Sequence, residues 1–338
     1  MLRKQLLRTS ALVAAASIST AAVADVKVSG FQEWNYLDAG ASFKSTLGAL
    51  TGLTFSGSGD MDNGIGYSVK YTFEGGDEAG HAVTFDLGSG LKLGIGYDQS
   101  YGIETVKAIS PYVNNRRADI TGAHRGLPTA ARKPLGPDVW DTASGENAIG
   151  LSFKNDLAAI SFGFTPVRDV NTSTDAIPTT GASEYGTASS IGVKLTPVDG
   201  LTIGFGTSSE ESDATANSDP KGTTIGFQYK IGSFAIGYQE IENELDDTTT
   251  QRVTTTEIQE GGVAYKVNDA LTIGVFAANI NYLTVNTDNG VETGMGIVQV
   301  GYNLGPAVIQ YDYADGSDLN STKDTEYEIH KVKIKVLF

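Results

Sequence analysis

The sequence contains no cysteine and only three histidines, His81, His124 and His330. Without cysteine the chain can form no disulfide and offers no thiolate as a nucleophile or zinc ligand. None of the histidines stands beside a nucleophile motif such as G-x-S-x-G, and three scattered imidazoles make a poor zinc site. No glycine-rich phosphate loop followed by Lys and Ser or Thr is present. The sequence therefore argues against an enzyme and predicts no cofactor.

Long apolar runs are also lacking, because no later stretch approaches the ~18 consecutive apolar residues of a transmembrane helix. Near the N-terminus, a weakly apolar segment at 11–22 follows three basic residues and ends in Ala22-Val23-Ala24. This pattern is typical of a secretory signal peptide, and the segment is too short to span ~30 Å of hydrocarbon. We predict that residues 1–24 are a signal peptide, that Sec-type export cleaves the chain near Ala24 and Asp25, and that 25–338 form one domain.

Positive charge is scarce, with 24 Lys and Arg against 40 Asp and Glu and a formal net charge of -16. Such an excess of acid repels phosphate-rich surfaces, so the sequence predicts no nucleic-acid partner.

What the sequence does contain is strict alternation of apolar and small or polar residues. Residues 65–74, IGYSVKYTFE, place Ile, Tyr, Val, Tyr and Phe on one face and Gly, Ser, Lys, Thr and Glu on the other. A period of two predicts β-strands, and no comparable 3.6-residue period occurs. The alternation predicts sixteen strands, at about 26–37, 48–59, 64–74, 81–87, 91–100, 147–154, 157–166, 188–195, 201–206, 222–231, 233–242, 257–267, 270–282, 293–303, 306–313 and 326–338.

The links between these strands alternate in length. Short links such as 60–64, 88–90, 196–200 and 304–306 carry the Gly, Asn, Asp and Pro of tight hairpins. Longer polar links fall at 38–47, 75–80, 101–146, 167–187, 207–221, 243–256, 283–292 and 314–325. All short turns are therefore expected at one rim and all long loops at the other. An even number of strands brings the first and the last to the same rim, where they can pair and close the sheet.

Two architectures fit alternating strands, a soluble barrel or sandwich with its apolar face inside and a membrane barrel with that face towards lipid. Sixteen strands favour the second, because a cylinder so wide cannot be filled by side chains and leaves an aqueous lumen. Closure also removes the strand edges that hydrocarbon cannot hydrogen-bond. Apolar-face aromatics such as Tyr36 and Phe73 fall near the long-loop ends, and others such as Tyr229 and Phe338 near the short-turn ends. Two aromatic rims match the two membrane interfaces.

The C-terminal stretch HKVKIKVLF supports export to an outer membrane. Ile334, Val336 and the terminal Phe338 alternate with lysines. This pattern resembles the outer-membrane assembly signal, a terminal Phe preceded by apolar residues at every second position.

Taken over essentially the whole mature length, the chain resembles the Gram-negative general porins. The resemblance rests on the opening DVKVSGFQEWNY (25–36), the sixteen alternating runs, the long third loop and the terminal Phe338. It implies a homotrimer in the outer membrane with one water-filled pore in each subunit. It also implies that the third long loop, here 101–146, folds into the barrel and narrows the pore.

That third loop differs from the typical family pattern, in which an acidic loop faces basic wall residues. Between positions 107 and 137 it carries six basic residues and one acid. If they face the lumen, these charges favour anions, because a narrow pore focuses the field of its lining. The alternative is a solvated loop without effect on transport. The constriction candidates are Lys107, Arg116, Arg117, Asp119, His124, Arg125, Arg132 and Lys133.

A second set of charges lies on the strand face that would line the lumen. The lysines in this set fall close to the short turns, and the acids could oppose the arginines of the loop. The alternative for the lysines is that they extend to the membrane interface. The wall candidates are Glu33, Lys70, Glu74, Asp86, Lys92, Asp98, Lys154, Lys194, Lys230, Lys266 and Lys333, with Lys27 and Lys335 on the same parity.

The sequence thus predicts an outer-membrane channel for small hydrophilic solutes and ions that favours anions. A substrate-specific channel for phosphate or another anion remains an alternative, as does a non-conducting barrel that serves as an adhesin or structural anchor. The acidic outer loops could bind divalent cations weakly or contact lipopolysaccharide through them.

Overall fold

Sixteen antiparallel strands close into one barrel in the computed structural model of the chain, which describes residues 26–38, 45–97, 101–106, 109, 148–166, 187–211, 218–247, 252–284, 292–317 and 326–338. Each strand pairs with its neighbours in sequence, and the first pairs with the last. The strands are β1 Lys27–Asp38, β2 Thr46–Asp60, β3 Gly66–Glu74, β4 Asp77–Gly88, β5 Leu91–Tyr97, β6 Ala148–Lys154, β7 Ala158–Thr165, β8 Ala188–Val198, β9 Leu201–Glu210, β10 Ser218–Ile231, β11 Phe234–Asp247, β12 Arg252–Lys266, β13 Leu271–Thr284, β14 Glu292–Asn303, β15 Ala307–Ser317 and β16 Glu326–Leu337. The predicted sixteen-stranded all-β barrel is confirmed. The predicted signal peptide lies outside the described residues.

The seam between β1 and β16 completes the ladder of backbone hydrogen bonds. Gly30 N donates to Phe338 O at 2.8 Å, and Phe338 N donates to Gly30 O at 3.1 Å. The ring of Phe338 lies where a side chain on Gly30 would stand. Closure leaves no open sheet edge, which is what a hydrocarbon environment requires of a β-structure.

Alternation along each strand gives the barrel an apolar outside and a mainly polar inside. Large apolar side chains on the outer face stay exposed, among them Ile225 (56%) and Val275 (58%). Neighbours of opposite parity, such as Gln239 and Gln299, are fully buried on the inner face. This is the reverse of a water-soluble protein and matches a barrel whose outer wall contacts lipid. No described helix is long and apolar enough to span a membrane.

One long link predicted from the sequence is wrong. The segment at 75–80 was expected to form a loop, but β4 begins at Asp77 and pairs Asp77 with Glu74. Only Gly75 and Gly76 make the turn, with φ values of 63° and 98°. Two successive positive φ angles are the requirement of the tightest hairpin turn, and a Gly-Gly pair meets it without strain.

Strands β9 to β12 also extend further towards the long-loop rim than predicted. Glu210, Asp219, Glu244, Asp246 and Asp247, expected in loops, lie in these strands. Lys221 on β10 and Glu244 on β11 form an ion pair of 3.2 Å across the ladder. Backbone pairing continues here beyond the outward apolar residues. The ends of these strands therefore lack the apolar alternation from which strands are predicted. β5, in contrast, ends at Tyr97, before the predicted wall residue Asp98, which lies outside the described residues.

The proposed assembly-signal residues all occupy the outer face of β16 or its end, with Ile334 39% and Phe338 66% exposed. Val336, on the same parity, is half-buried. Their role in assembly stays a prediction.

Deleting Phe338 should destabilise the folded barrel by about 1–3 kcal/mol, since it removes both backbone hydrogen bonds to Gly30. Unfolding in urea, followed by the shift between folded and unfolded bands on unheated gels, measures the effect. Phe234→Ala is the matched control, because it removes an exposed ring from another short turn without changing a backbone bond. Equal unfolding midpoints for the two variants would show that the seam does not depend on the terminal residue.

Candidate functional site

The beginning of the third long link lies against the inner wall of the barrel. Gly102–Val106 form a short 3-10 helix beside β7, β8 and β9. Gly102 N donates to Ser161 Oγ at 2.9 Å, and Ile103 N donates to Ser190 Oγ at 3.4 Å. Both serines are buried and have the inward parity of their strands, so the link enters the lumen rather than crossing the outer face.

Two glutamines hold the next part of the link. Gln239 Oε1 on β11 accepts the N–H of Ile109 at 3.0 Å, and its Nε2 donates to Val106 O at 3.1 Å. Gln228 Nε2 on β10 donates to Ile109 O at 3.0 Å. Irregular backbone removed from water must find such partners, and here side chains of the wall supply them.

Glycines on the inner wall make room for this segment. A Cβ on Gly206 would lie 2.7 Å from both Ile103 Cγ1 and Val106 Cγ2. A Cβ on Gly192 would overlap Gly102 O, and a Cβ on Gly204 would overlap Ile109 Cδ1. The ring of Tyr101 similarly occupies the space above the glycines at 94 and 150. The sequence signal is the recurring glycine at inward positions of β5, β6, β8 and β9, which alternation alone places only on the small and polar face of the strands.

An apolar cluster on the inner face was not predicted. Ile241, Ile258 and Ile280 are neighbours across β11, β12 and β13, and all are at most 2% exposed. They belong to the same buried cluster as Ile103, Val106 and Ile109 of the link. The inner wall is therefore apolar on this side, because it packs there against protein rather than water.

A charged network lies on the inner wall around the seam between β1 and β16. Glu33 on β1 is 3.5 Å from Lys333 Nζ and 3.9 Å from Lys335 Nζ, both on β16. Asn35 Nδ2 donates to Glu33 at 3.0 Å, and Lys335 Nζ lies 3.6 Å from the centre of the Phe31 ring. The predicted wall residues Glu33 and Lys333 are thus brought together, and both are buried.

Asp312 on β15 extends this seam network. Gln299 Nε2 and Gln310 Nε2 donate to its Oδ1 at 3.0 and 2.8 Å. Lys331 on β16 stands directly opposite Asp312 in the register of the two strands. The sequence reasoning missed Asp312 and both glutamines, although their inward parity was readable from the alternation.

A different set of predicted lysines lies near the short-turn rim. Lys154, Lys194 and Lys230 point inward from β6, β8 and β10, and the first and last are close enough to repel Lys194. Nothing in the described part of the chain forms an ion pair with any of the three. A cluster of like charges without counter-charges produces the kind of field that concentrates anions.

The remaining wall candidates are scattered. Lys266, at the end of β12, pairs at 2.8 Å with Asp269 of the following turn, and this hydrogen bond and charge lower the pKa of Asp269. Glu74 is exposed beside the Gly-Gly turn at the opposite rim. Lys70, Asp86 and Lys92 face inward on β3, β4 and β5. The eight constriction candidates of the loop, from Lys107 to Lys133, lie outside the described residues.

On the outer face of the barrel, carboxylates lie beyond the exposed apolar residues, towards the long-loop rim. Glu240, Glu242 and Glu257 are exposed on the outer faces of β11 and β12. Across the described ranges, no three Asp, Glu or His side chains come together closely enough to hold a metal ion.

Comparison with known proteins identifies the family that this chain matches. The model of the Gram-negative porins matches residues 9–319. Among curated proteins, none matches the sequence significantly. A solved porin refined at 1.8 Å resolution is 15% identical with a TM-score of 0.63, covering 93% of this chain and 100% of its own. An anion-selective porin from Comamonas acidovorans is 14% identical with a TM-score of 0.63 and the same coverage. The trimer form of OmpT from Vibrio cholerae is 14% identical with a TM-score of 0.65, covering 93% and 99%.

Gly206→Val should displace the 3-10 helix, since even the first added carbon would stand 2.7 Å from Ile103 and Val106. We expect a changed single-channel conductance and a loss of about 1–3 kcal/mol in stability from overpacking. Bilayer recording and urea unfolding measure the two effects. Gly296→Val is the control, because a Cβ there meets only Asp315 O at 3.8 Å. A Gly206→Val channel indistinguishable from the control would argue that the helix does not dock on the wall.

Proposed function

This chain belongs to the Gram-negative porin family, and we propose that its pore favours anions among the small hydrophilic solutes that it passes. The family and the closed barrel are those of a passive diffusion channel in the outer membrane rather than of an enzyme. The feature of this chain that bears on ion selectivity is the charge of its inner wall.

The observation that carries the anion preference is the contrast between two groups of lysines. Around the seam, Lys333 and Lys335 both lie beside the carboxylate of Glu33, which offsets part of their charge. At the short-turn rim, Lys154, Lys194 and Lys230 have no such carboxylate among the described residues. A solute that passes this rim meets uncompensated positive charge, which raises the local concentration of anions and lowers that of cations.

The basic loop residues belong to the same proposal. Residues 101–106 and Ile109, the described start of this link, contact the inner wall from β7 to β11. This supports a lumen-facing position for at least part of the basic run that follows, in which Arg116, Arg117 and Arg125 are central. Loop and rim charges of the same sign would then act in series along the path of the ion.

Replacing Lys154, Lys194 and Lys230 together by Gln should lower the anion-to-cation permeability ratio by roughly two- to five-fold, on the scale of charge effects in a wet pore. The reversal potential in a KCl gradient across a planar bilayer measures this ratio. Lys266→Gln is the control, because Asp269 already compensates that lysine. Arg116→Glu, Arg117→Glu and Arg125→Glu in one variant should shift the potential further towards cations.

A cation-selective wild-type channel would contradict the anion preference. Saturating conductance with block by one anion would instead indicate a substrate-specific channel. A folded but non-conducting protein would favour an adhesin or structural anchor.

We also propose that the barrel assembles as a homotrimer through the outer face of β1 and β2. Gln32 stands in the middle of the outward residues of β1, where Thr51 Oγ1 donates to its Oε1 at 2.6 Å. Polar groups are costly at this depth in lipid, so this pair fits a protein contact better. The trimer form of the structurally similar OmpT supports the same assembly.

Gln32→Leu combined with Thr51→Val should weaken the trimer, because both polar partners of that contact are removed. Sedimentation in detergent measures the proportion of trimer. Thr207→Val, on the outer face of β9, is the control. Monomeric wild-type protein under these conditions would contradict the assembly.

A further inference from the structure

A second polar site lies on the inner face at the short-turn ends of β2 to β5. A cavity of about 450 Å³ opens there, within the size range of small-molecule sites. Its lining includes two carboxylates, one ammonium and three aliphatic hydroxyls, contributed by Asp60, Asp86, Lys92, Ser58, Ser68 and Thr84.

The opposite charges in this cavity are neighbours that do not neutralise one another. Asp86 stands directly opposite Lys92 in the register of β4 and β5, where a cross-strand ion pair would be expected. Asp86 Oδ1 instead accepts the N–H of Gly88 at 3.0 Å. Over the described residues, neither Lys92 nor Asp60 comes within ion-pair distance of an opposite charge. All three side chains belong to exposed residues, so their charges face the water of the lumen.

Gly66 supplies the space between the two carboxylates. It pairs with Asp60 on one side and with Asp86 on the other. A Cβ at this position would lie 3.5 Å from Asp60 Oδ1 and 3.6 Å from Asp86 Cβ. A side chain there would fill the gap between the acids, whereas glycine leaves it open.

We propose that this cavity binds small zwitterions, solutes that carry one ammonium and one carboxylate, such as α-amino acids and dipeptides. Asp60 and Asp86 receive the ammonium of the solute, and Lys92 receives its carboxylate. The hydroxyls of Ser58, Ser68 and Thr84 supply further donors and acceptors for the peptide or amino-acid backbone. This inference rests on the proposed channel function, and it adds a solute class to that channel.

The other simple ligand classes fit less well. A cation would satisfy the carboxylates but leave the ammonium of Lys92 facing a like charge. An anion would pair with Lys92 and be repelled by two carboxylates. A neutral sugar would use the hydroxyls and leave all three charges without a counter-charge. An open site of exposed charges binds weakly, which suits a channel whose solutes must also leave.

The test uses the full-length protein in planar bilayers with glycylglycine added at the short-turn side. We expect concentration-dependent reduction of the ion current, from which an apparent dissociation constant follows. Ethylammonium and propionate, which carry one charge each, should reduce the current less at equal concentration. Gly66→Val should abolish the glycylglycine effect, because the added side chain occupies the gap between the carboxylates.

Charge variants separate the two ends of the ligand. Lys92→Gln should weaken glycylglycine binding by roughly five-fold, as for an exposed ion pair, and should strengthen the ethylammonium effect, because a like charge is removed. Asp60→Asn with Asp86→Asn should weaken both. Lys266→Gln is the matched control, an inward lysine outside the cavity that is already paired with Asp269, and should keep wild-type glycylglycine binding. Folded mobility on unheated gels confirms that each variant forms a barrel.

The outcomes distinguish this inference from the channel function. A channel that conducts KCl but shows no glycylglycine effect overturns the zwitterion site alone. Equal effects of ethylammonium and glycylglycine, both unchanged in Lys92→Gln, would show a cation site and also overturn it. A protein that does not conduct at all overturns the channel function itself.

Discussion

Backbone hydrogen bonding between neighbouring strands is the interaction on which the rest of this structure depends. A sheet in hydrocarbon cannot leave an edge unpaired, so the sixteen strands must close, and Gly30 and Phe338 complete the ladder at the seam. Closure fixes the face of every side chain, because parity along a strand alternates between lipid and lumen. The residues at alternate positions of the sixteen strands therefore determine the chemistry of the pore.

The inner wall shows that charge composition alone does not give the charge of a pore. Lys333 and Lys194 occupy inward positions and look equivalent in the sequence. The first is buried against Glu33, while the second faces two other lysines. Lys92 represents a third state, beside a carboxylate that it does not contact. Lysines that are paired, repelled or without an ion pair have different effects on a passing solute, and the charges around each lysine decide which state it has.

Much of the barrel could be predicted from the sequence, because alternation is a local signal. Few architectures are compatible with sixteen alternating segments. The errors occur where that signal stops. The Gly75-Gly76 turn was hidden in a polar stretch, and the outer ends of β9 to β12 continue without apolar alternation. The inner apolar cluster around Ile258 was also missed, because parity shows which face a residue occupies but not what covers it. The anchoring by Gln239 depends on contacts more than a hundred positions apart, which no local pattern contains.

The glycines beneath the third link have a consequence for how such channels diversify. Where the wall has no side chain, as at Gly204 and Gly206, side chains of the link fill the contact. A substitution in the link then needs no matching substitution in the strand below it. The link can therefore change while the glycines of the wall stay the same, so that one barrel can carry links of many sequences and present a different passage with each.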